Sequence, residues 1–316
     1  MRRLAPLAYL ALVLAILVVG DRAGGYVLGQ LVDRSEFRFS RIYGGGIDAD
    51  ILAIGDSRAV HSVYAPAIGQ DTCMSVFNAA FNGMSTEIAA ALVEDYLARN
   101  APPKAVLIEV SDVGDAPDLL SEMRLYARSG SATRALIARL DPRQLFWSAV
   151  SHLYQFNNEM TLRALYYELH PDQDWVLDAT ADPTAIAHAD WHSYAEWRPL
   201  PANVAALKGL IADLKARGIA PILFIAPYHP MHEKKVPGFA ARVAELEHEL
   251  GPENKVLDLS TRLSGDRYFA DVLHLNIRGA LAVAPILSDR VLTTEGVSPA
   301  KACVPAAPAQ RSAVAD

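Results

Sequence analysis

The sequence predicts an α/β protein built on a doubly wound parallel sheet, and three observations lead to that prediction. Short apolar runs, each ending in small or polar residues, have the length and composition of buried parallel strands. Segments with apolar residues at helical spacing lie between several of these runs. The chain has 316 residues, of which 52% are hydrophobic, so it can bury one large core.

Five apolar runs are the predicted strands, at residues 51–54, 75–77, 105–110, 221–226 and 256–259. Four helices are predicted from periodicity, at residues 86–99, 202–217, 236–250 and 276–291. In a sheet of this kind, ligands bind at the carboxyl ends of the strands. We therefore expect functional side chains to follow the strands directly.

One long region interrupts the alternation of strands and helices. Residues 116–199 contain helical stretches at 132–140 and 148–169 but no clear strand, and they are too many for an ordinary connection. We interpret the region as a helical insertion over the active edge of the sheet, serving as a lid or acceptor site. Its aromatic residues Trp175, Trp191 and Trp197 suit either sugar binding or packing.

The N-terminus predicts a membrane anchor. Arg2 and Arg3 precede an apolar run of about 17 residues, from residue 4 to 20, which is the lower limit for a membrane span. The residues after this run make a poor cleavage site, so an uncleaved anchor over residues 1–32 is expected. By the positive-inside rule, the chain crosses the cytoplasmic membrane once and the rest is exported, beginning with a neck at residues 33–50.

The remaining composition adds three expectations. The net charge of −7 and the absence of a Lys/Arg block argue against a nucleic-acid partner. Cys73 and Cys303 either pair in an oxidising compartment or remain one buried and one exposed thiol. The Ala- and Pro-rich residues 296–316 are expected to be a disordered tail after a catalytic domain at 51–295.

A serine directly after the first strand is the candidate nucleophile. In the run Gly55-Asp56-Ser57, a tight turn holds the Ser57 hydroxyl on a rigid support, and the backbone N–H of Ser57 is available to an oxyanion. Asp56 is expected to brace the turn. The alternative is a strand-to-helix turn with an ordinary N-cap, because Asp and Ser are favoured there.

A histidine and a carboxylate near the C-terminus complete the chemistry. Asp271 and His274 are three residues apart, just before the last predicted helix, so their side chains can face the same way. The carboxylate can then fix the imidazole tautomer while the other ring nitrogen faces Ser57 as general base and acid.

These segments resemble the first and last sequence blocks of the SGNH, or GDSL-type, hydrolase superfamily. The resemblance implies a flavodoxin-like three-layer α/β/α fold with a sheet of about five strands, and an esterase or O-acyltransferase activity without a cofactor. Residues 77–85 resemble the second block, which implies that the backbone N–H of Gly83 joins that of Ser57 in the oxyanion hole.

The third block of that family departs from its usual pattern here. The strand at 105–110 runs into Ser111 and Asp112, where the family has an asparagine that supplies an oxyanion donor. An ionised Asp112 would repel an oxyanion, so either Asn82 or Ser111 takes the role or the hole has two donors. Losing one donor lowers the rate by about 10²–10³.

The layout as a whole resembles exported, membrane-tethered SGNH-like proteins. That resemblance implies O-acyl transfer, most plausibly of acetyl, to an envelope polysaccharide or another hydroxyl through an acyl-serine, alongside a multi-spanning membrane acyltransferase. Two alternatives stay open, a periplasmic carboxylester hydrolase and a catalytically degenerate SGNH-like module that binds polysaccharide or assists assembly.

Three further residues are candidate substrate contacts. Arg58 could attract an anionic substrate or simply be solvated at the turn. Tyr228 and His229 follow the fourth strand and could line the acceptor pocket. A metal site is not expected, because no compact ligand spacing is present.

Overall fold

The computed structural model describes residues 4–114, 116–172, 175–189 and 198–299. The chain divides into two compact units. The first unit runs to Gly46 and includes Glu94–Arg99 and Leu119–Asp172. The second unit holds Ile47–Val93, Asn100–Asp118 and the residues from Gln173 onward.

The second unit is built on a five-stranded parallel sheet. Its strands are β1 (Ile51–Ile54), β2 (Val76–Asn78), β3 (Ala105–Glu109), β4 (Ala220–Ile225) and β5 (Val256–Asp258). They pair in the order β2-β1-β3-β4-β5, and every pairing is parallel. This order is that of flavodoxin-like doubly wound sheets, with the switch point between β1 and β3. The predicted fold class is confirmed.

The helices within the described residues are α1 (Leu4–Arg34), α2 (Arg38–Gly44), α3 (Ser57–Ser62), α4 (Ala65–Thr72), α5 (Thr86–Leu97), α6 (Leu120–Met123), α7 (Ser131–Leu140), α8 (Pro142–Val150), α9 (Glu159–Tyr167), α10 (Pro183–Ala187), α11 (Pro201–Ala216), α12 (Pro230–Lys235), α13 (Phe239–Leu250) and α14 (Ile277–Leu292). Short 3₁₀ turns lie at Ser111–Gly114, His152–Phe156 and Asp266–Tyr268.

The apolar runs of the sequence form the core of the second unit. β1 and β3 are buried along their whole length, as expected for strands covered on both faces. On one face, Leu107 and Phe224 from the sheet belong to a cluster with Val283 and Leu287 of α14. Ile186, from the predicted insertion, is buried in the same cluster, so this part of the insertion is core.

Two predicted helices have different bounds in the structure. The segment predicted at 236–250 forms α13, which begins only at Phe239 because Pro237 and Gly238, with a φ of +79°, lie between it and α12. The segment predicted at 148–169 is interrupted at Ser151, which is extended. Asn158 then starts α9 by accepting a hydrogen bond from the N–H of Thr161. Local turn residues prevail over the apolar periodicity in both cases.

Helix α2 lies within the segment predicted as a polar neck. Phe37, Phe39 and Ile42 are fully buried in the first unit, although acidic and basic residues surround them in the sequence. Ring contacts of Phe37 with Phe39 and with Tyr167 of the helical insertion explain this burial.

Helix α1 consists of two halves with different surroundings. The helix is long and apolar enough from Pro6 to Arg34 to cross a membrane, and its best window is not buried against the protein. From Asp21 onward it packs against the insertion within the first unit. The close approach is made at Gly25, where a Cβ would lie 2.6 Å from the Cβ of His152.

The turn after β1 depends on a glycine. Gly55 has a φ of +141°, which L residues rarely adopt, and an added Cβ would lie 2.9 Å from the Cβ atoms of Ala59 and Glu109. Replacing Gly55 by alanine should therefore lower the free energy of unfolding by at least about 2 kcal/mol. Denaturant unfolding in detergent measures this.

Gly209 provides a matched control for that substitution. It lies in the interior of α11, and an added Cβ would meet nothing within 4 Å. Gly209→Ala should leave stability unchanged or raise it by up to about 1 kcal/mol. Equal effects of the two substitutions would show that the turn is not conformationally constrained.

Candidate active site

Ser57 is the first residue of α3, directly after the turn that follows β1. Asp56 is the N-cap, and its carboxylate accepts a hydrogen bond of 2.8 Å from the N–H of Arg58. Asp56 therefore braces the turn, in the position predicted for it. The short β1-to-α3 connection places the Ser57 hydroxyl at the carboxyl edge of the sheet, beside the switch point.

The structure brings Ser57, His274 and Asp271 together. The Nε2 atom of His274 lies 2.7 Å from the Oγ of Ser57, and its Nδ1 lies 2.8 Å from Oδ2 of Asp271. The other carboxylate oxygen of Asp271 accepts the backbone N–H groups of Leu273 and His274, each at 2.8 Å. The backbone of the local turn therefore orients the Asp271 carboxylate independently of its contact with the His274 ring.

The charge on Asp271 sets the direction of this hydrogen-bond chain. Burial disfavours its ionised form, but the hydrogen bonds and charge of His274, with the two backbone N–H groups, outweigh burial and lower the pKa of Asp271 to about 2. An ionised carboxylate only accepts, so His274 carries its proton on Nδ1. In the neutral ring, Nε2 then accepts the proton of the Ser57 hydroxyl.

A second histidine contacts His274, and sequence reasoning missed it. The rings of His61 and His274 meet edge to face, with centroids 5.2 Å apart. The Nδ1 of His61 lies 2.7 Å from the carbonyl oxygen of Trp175, whose ring contacts Phe81 at 5.4 Å. The signal available in the sequence was spacing, because His61 follows Ser57 by four residues on α3 and so shares its helix face.

Arg58 is buried, whereas both interpretations of the sequence expected it to be exposed at the turn. Its side chain is 4% exposed, and Nη1 donates to the carbonyl of Leu273 at 2.9 Å while Nη2 donates to that of Ala226. Its Nε lies 3.5 Å from the buried carboxylate of Glu109. A guanidinium so enclosed has no exposed face for a substrate. It instead joins α3 to the loops after β3, after β4 and before α14.

Ser111 points into this buried cluster rather than toward an oxyanion. Its hydroxyl donates to Oε2 of Glu109 at 2.6 Å, and its backbone N–H donates to the same oxygen at 3.0 Å. Asp112 is also turned inward, where it accepts the hydroxyl of Thr86 at 3.0 Å. Both donors of Ser111 are therefore committed, which argues against its predicted role in the oxyanion hole.

The other predicted oxyanion donors lie in an exposed turn after β2. The N–H of Phe81 donates to the carbonyl of Gly55 at 3.1 Å, so this turn is attached to the turn that carries Ser57. Asn82 and Gly83 follow and are exposed, and Gly83 has a φ of +72°. The attachment keeps Asn82 and Gly83 as candidates for the role predicted for them.

Tyr228 and His229 line a cavity of about 310 Å³ at the carboxyl ends of β4 and β5. The ring of Tyr228 lies between two partners, the guanidinium of Arg58 at 3.4 Å and the ring of His232 at 3.8 Å. Phe239 contributes a further aromatic wall, and the cavity is also lined by Ser260, Thr261 and Ser264. The faces of the Tyr228 ring are occupied, so a polar ligand such as a sugar would meet the ring edges and the serine and threonine hydroxyls.

His232 is held neutral in this cavity. Burial lowers its pKa most, and the charges of Arg58 and Arg242 lower it further, to about 3. His229 is fixed differently, since its Nδ1 accepts the N–H of Met231 at 3.2 Å and its Nε2 lies 3.0 Å from Asp266.

Some predicted site residues fall elsewhere. Trp191, Trp197 and Cys303 lie outside the described residues, so their binding and pairing stay predictions. Cys73 ends α4 in a left-handed conformation, with a φ of +56°. Within the described ranges, no group of three His, Cys, Asp or Glu side chains could hold a metal ion.

Comparisons with known proteins add little to this geometry. No family model and no curated protein sequence matches the chain. One similar solved structure is a protein from Streptococcus pneumonia provisionally described as a platelet activating factor. It is 11% identical, covers 90% of this chain and 98% of its own, and superposes with a TM-score of 0.39. The likeness is too distant to bear on function, so the class of protein follows from the sheet order and the site itself.

The low pKa of Asp271 predicts how the free energy of unfolding depends on pH. Because the pKa is about 2 in the folded chain and about 3.9 in an unfolded one, Asp271 stabilises the fold above about pH 4. This contribution should be lost as the pH falls from about 4 toward 2. Urea unfolding of wild type and Asp271→Asn over that range measures it, and a difference that does not change with pH would contradict the ionised pair.

The buried contact between Arg58 and Glu109 makes a second prediction. Arg58→Met leaves the Glu109 carboxylate, which is fully buried, without its cation and should destabilise the fold by about 3–5 kcal/mol. Arg217→Met removes an exposed i,i+4 pair with Asp213 and should change stability by less than about 0.5 kcal/mol. Equal losses in denaturant unfolding would refute the structural role of Arg58.

Proposed function

We propose that the protein is an SGNH-type serine acyltransferase or esterase that moves an acyl group, most plausibly acetyl, through an acyl-Ser57 intermediate. One observation carries the proposal, the continuous hydrogen-bond chain from Asp271 through His274 to Ser57, at 2.8 and 2.7 Å. Its place at the carboxyl edge of a doubly wound sheet supports it further.

The geometry supports a two-step transfer. His274 Nε2 takes the proton of Ser57 as Oγ forms a bond to the acyl carbonyl carbon, and the Asp271 carboxylate stabilises the resulting imidazolium. The protonated ring then gives its proton to the leaving oxygen, and the acyl group remains on Ser57. In the second step, His274 Nε2 takes the proton of an acceptor hydroxyl, whose oxygen bonds to the acyl carbon. The bond from that carbon to Ser57 Oγ breaks, and the protonated ring returns the proton to Oγ, which restores the free enzyme.

The oxyanion in this proposal is stabilised by the backbone N–H groups of Ser57 and Gly83. The inward hydrogen bonds of Ser111 leave the side-chain amide of Asn82 as the candidate third donor. The Asp112 carboxylate does not face the oxyanion in this proposal, because it is buried and accepts a hydrogen bond from the Thr86 hydroxyl. A hole of two backbone donors and one exposed amide still provides stabilisation of the kind that acyl transfer needs.

The acceptor in this proposal is a cell-envelope polysaccharide or a related hydroxyl. The cavity beside Tyr228 and His229 supports it, because the edges of its aromatic rings and its serine and threonine hydroxyls can contact a sugar. In this reading, α1 anchors the chain in the cytoplasmic membrane with the catalytic unit outside, where a multi-spanning membrane acyltransferase could supply the acyl group. An accessible water in place of the acceptor would make the protein an esterase.

The nucleophile is tested on the full chain in detergent. A fluorophosphonate probe should label wild-type protein at Ser57, and Ser57→Ala should take up no label. Hydrolysis of p-nitrophenyl acetate should fall by about 10⁴-fold or more in Ser57→Ala and in His274→Gln, because triad members act as a unit. His248→Gln, on the exposed face of α13, should keep full activity.

The reaction class is tested by the fate of the acyl-enzyme. Intact mass spectrometry should detect acetyl-Ser57, and its decay should be faster with added oligosaccharides than in buffer if the protein is a transferase. A decay rate of acetyl-Ser57 that no added acceptor changes would favour the esterase. Wild type without label or hydrolysis would reject the enzyme and leave the SGNH-like binding module as the account.

A further inference from the structure

An exposed apolar face on α8 suggests a second function for the helical insertion. Phe146, Trp147 and Val150 are 59%, 49% and 53% exposed, and with Arg143 they occupy positions i, i+3, i+4 and i+7 of the helix. Residues at this spacing share one helix face. The flank at Gln144 is buried, and Leu145 and Ser148 on the opposite side are half-buried, so the helix packs by those sides. An apolar surface face with two aromatic rings requires an explanation.

The end of α8 is attached to α1 within the first unit. Asp21 of α1 accepts the backbone N–H groups of His152 and Leu153, at 2.8 and 3.1 Å, and the hydroxyl of Ser151 at 2.5 Å. Arg22 donates to the carbonyl of Val150 at 3.4 Å. These contacts fix the C-terminal end of α8 at the level of Asp21.

Asp21 and Arg22 are the first charged residues after the exposed apolar run of α1, and Tyr26 and Val27 beyond them are also exposed. Residues 4–20 are about 26 Å long as a helix, slightly less than the hydrocarbon thickness of about 30 Å. With residues 4–20 as the proposed membrane span, the first charged residues after it, Asp21 and Arg22, lie at the hydrocarbon boundary. Phe146 and Trp147 lie one turn before Val150, about 6 Å along the helix, and so remain near that boundary.

We propose that α8 lies on the non-cytoplasmic surface of the bilayer that α1 crosses, with Phe146, Trp147 and Val150 in the lipid interface. This inference rests on the membrane anchoring proposed above. Aromatic residues favour the interface because an apolar ring and a polar edge are both accommodated there. Arg143, exposed on the same face, can meet lipid phosphates. The insertion would then fix the orientation of the first unit on the membrane.

The test uses the full chain in vesicles of phosphatidylcholine and phosphatidylglycerol whose acyl chains carry bromine near the headgroup. Brominated lipid should quench wild-type fluorescence, and Trp147→Phe should remove most of the quenched signal. Trp175→Phe is the matched control, because that ring packs against Phe81 in the second unit, and it should leave the quenched signal in place. Shielding of Trp147 from aqueous iodide should appear together with the quenching.

Three results would overturn the inference. Quenching that Trp147→Phe does not reduce would show that α8 is away from lipid. Shielding from iodide without quenching by lipid would indicate a second copy or another protein on this face. Extraction of the chain from vesicles at alkaline pH would show that α1 is not inserted in the membrane. This result would not affect the proposed enzyme activity, which the fluorophosphonate labelling of Ser57 tests separately.

Discussion

The buried contact of Arg58 with Glu109 is the interaction on which the candidate site depends. Glu109 ends β3, Arg58 follows the candidate nucleophile, and the guanidinium also binds the carbonyls of Ala226 and Leu273. Segments far apart in sequence are thereby held at one edge of the sheet. Because one buried guanidinium contacts a carboxylate and two carbonyls from three segments, the position of each segment constrains the others. The 2.7 Å approach of His274 to Ser57 follows from this arrangement.

The same cluster occupies the residues after β3, where the proposed SGNH family has an asparagine. The Glu109 carboxylate accepts hydrogen bonds from Ser111 and from the N–H of Ala226, and it lies beside the guanidinium of Arg58. The donors of Ser111 are therefore used to stabilise this buried carboxylate. A donor cannot also reach an oxyanion while it is bound to that carboxylate. In the proposed mechanism, the oxyanion donors other than Ser57 therefore come from the turn of Asn82 and Gly83, which the N–H of Phe81 attaches to Gly55.

The sequence was sufficient for the fold but not for the environment of every site residue. Continuous apolar runs identify the five strands to within one or two residues, since burial on both faces leaves a strong signal. Arg58 could not be interpreted correctly, because its partners come from residues 109, 226 and 273 and no local pattern reveals them. The contact of His61 with His274 likewise depends on tertiary packing. Apolar periodicity alone also placed the start of α13 three residues early, because it does not register that Pro237 and Gly238 precede the helix.

The two units divide the physical tasks of the chain. The second unit contains Ser57, His274 and Asp271 on a rigid sheet, and a lone segment of the insertion, including Ile186, is part of its core. The first unit contains α1 and the helices whose exposed apolar faces meet no protein among the described residues. Chemistry needs groups fixed to within tenths of an ångström, whereas contact with lipid needs only area and an amphipathic face. An enzyme acting on envelope hydroxyls would benefit from both, because anchoring confines the catalytic unit near a surface where its acceptor is concentrated.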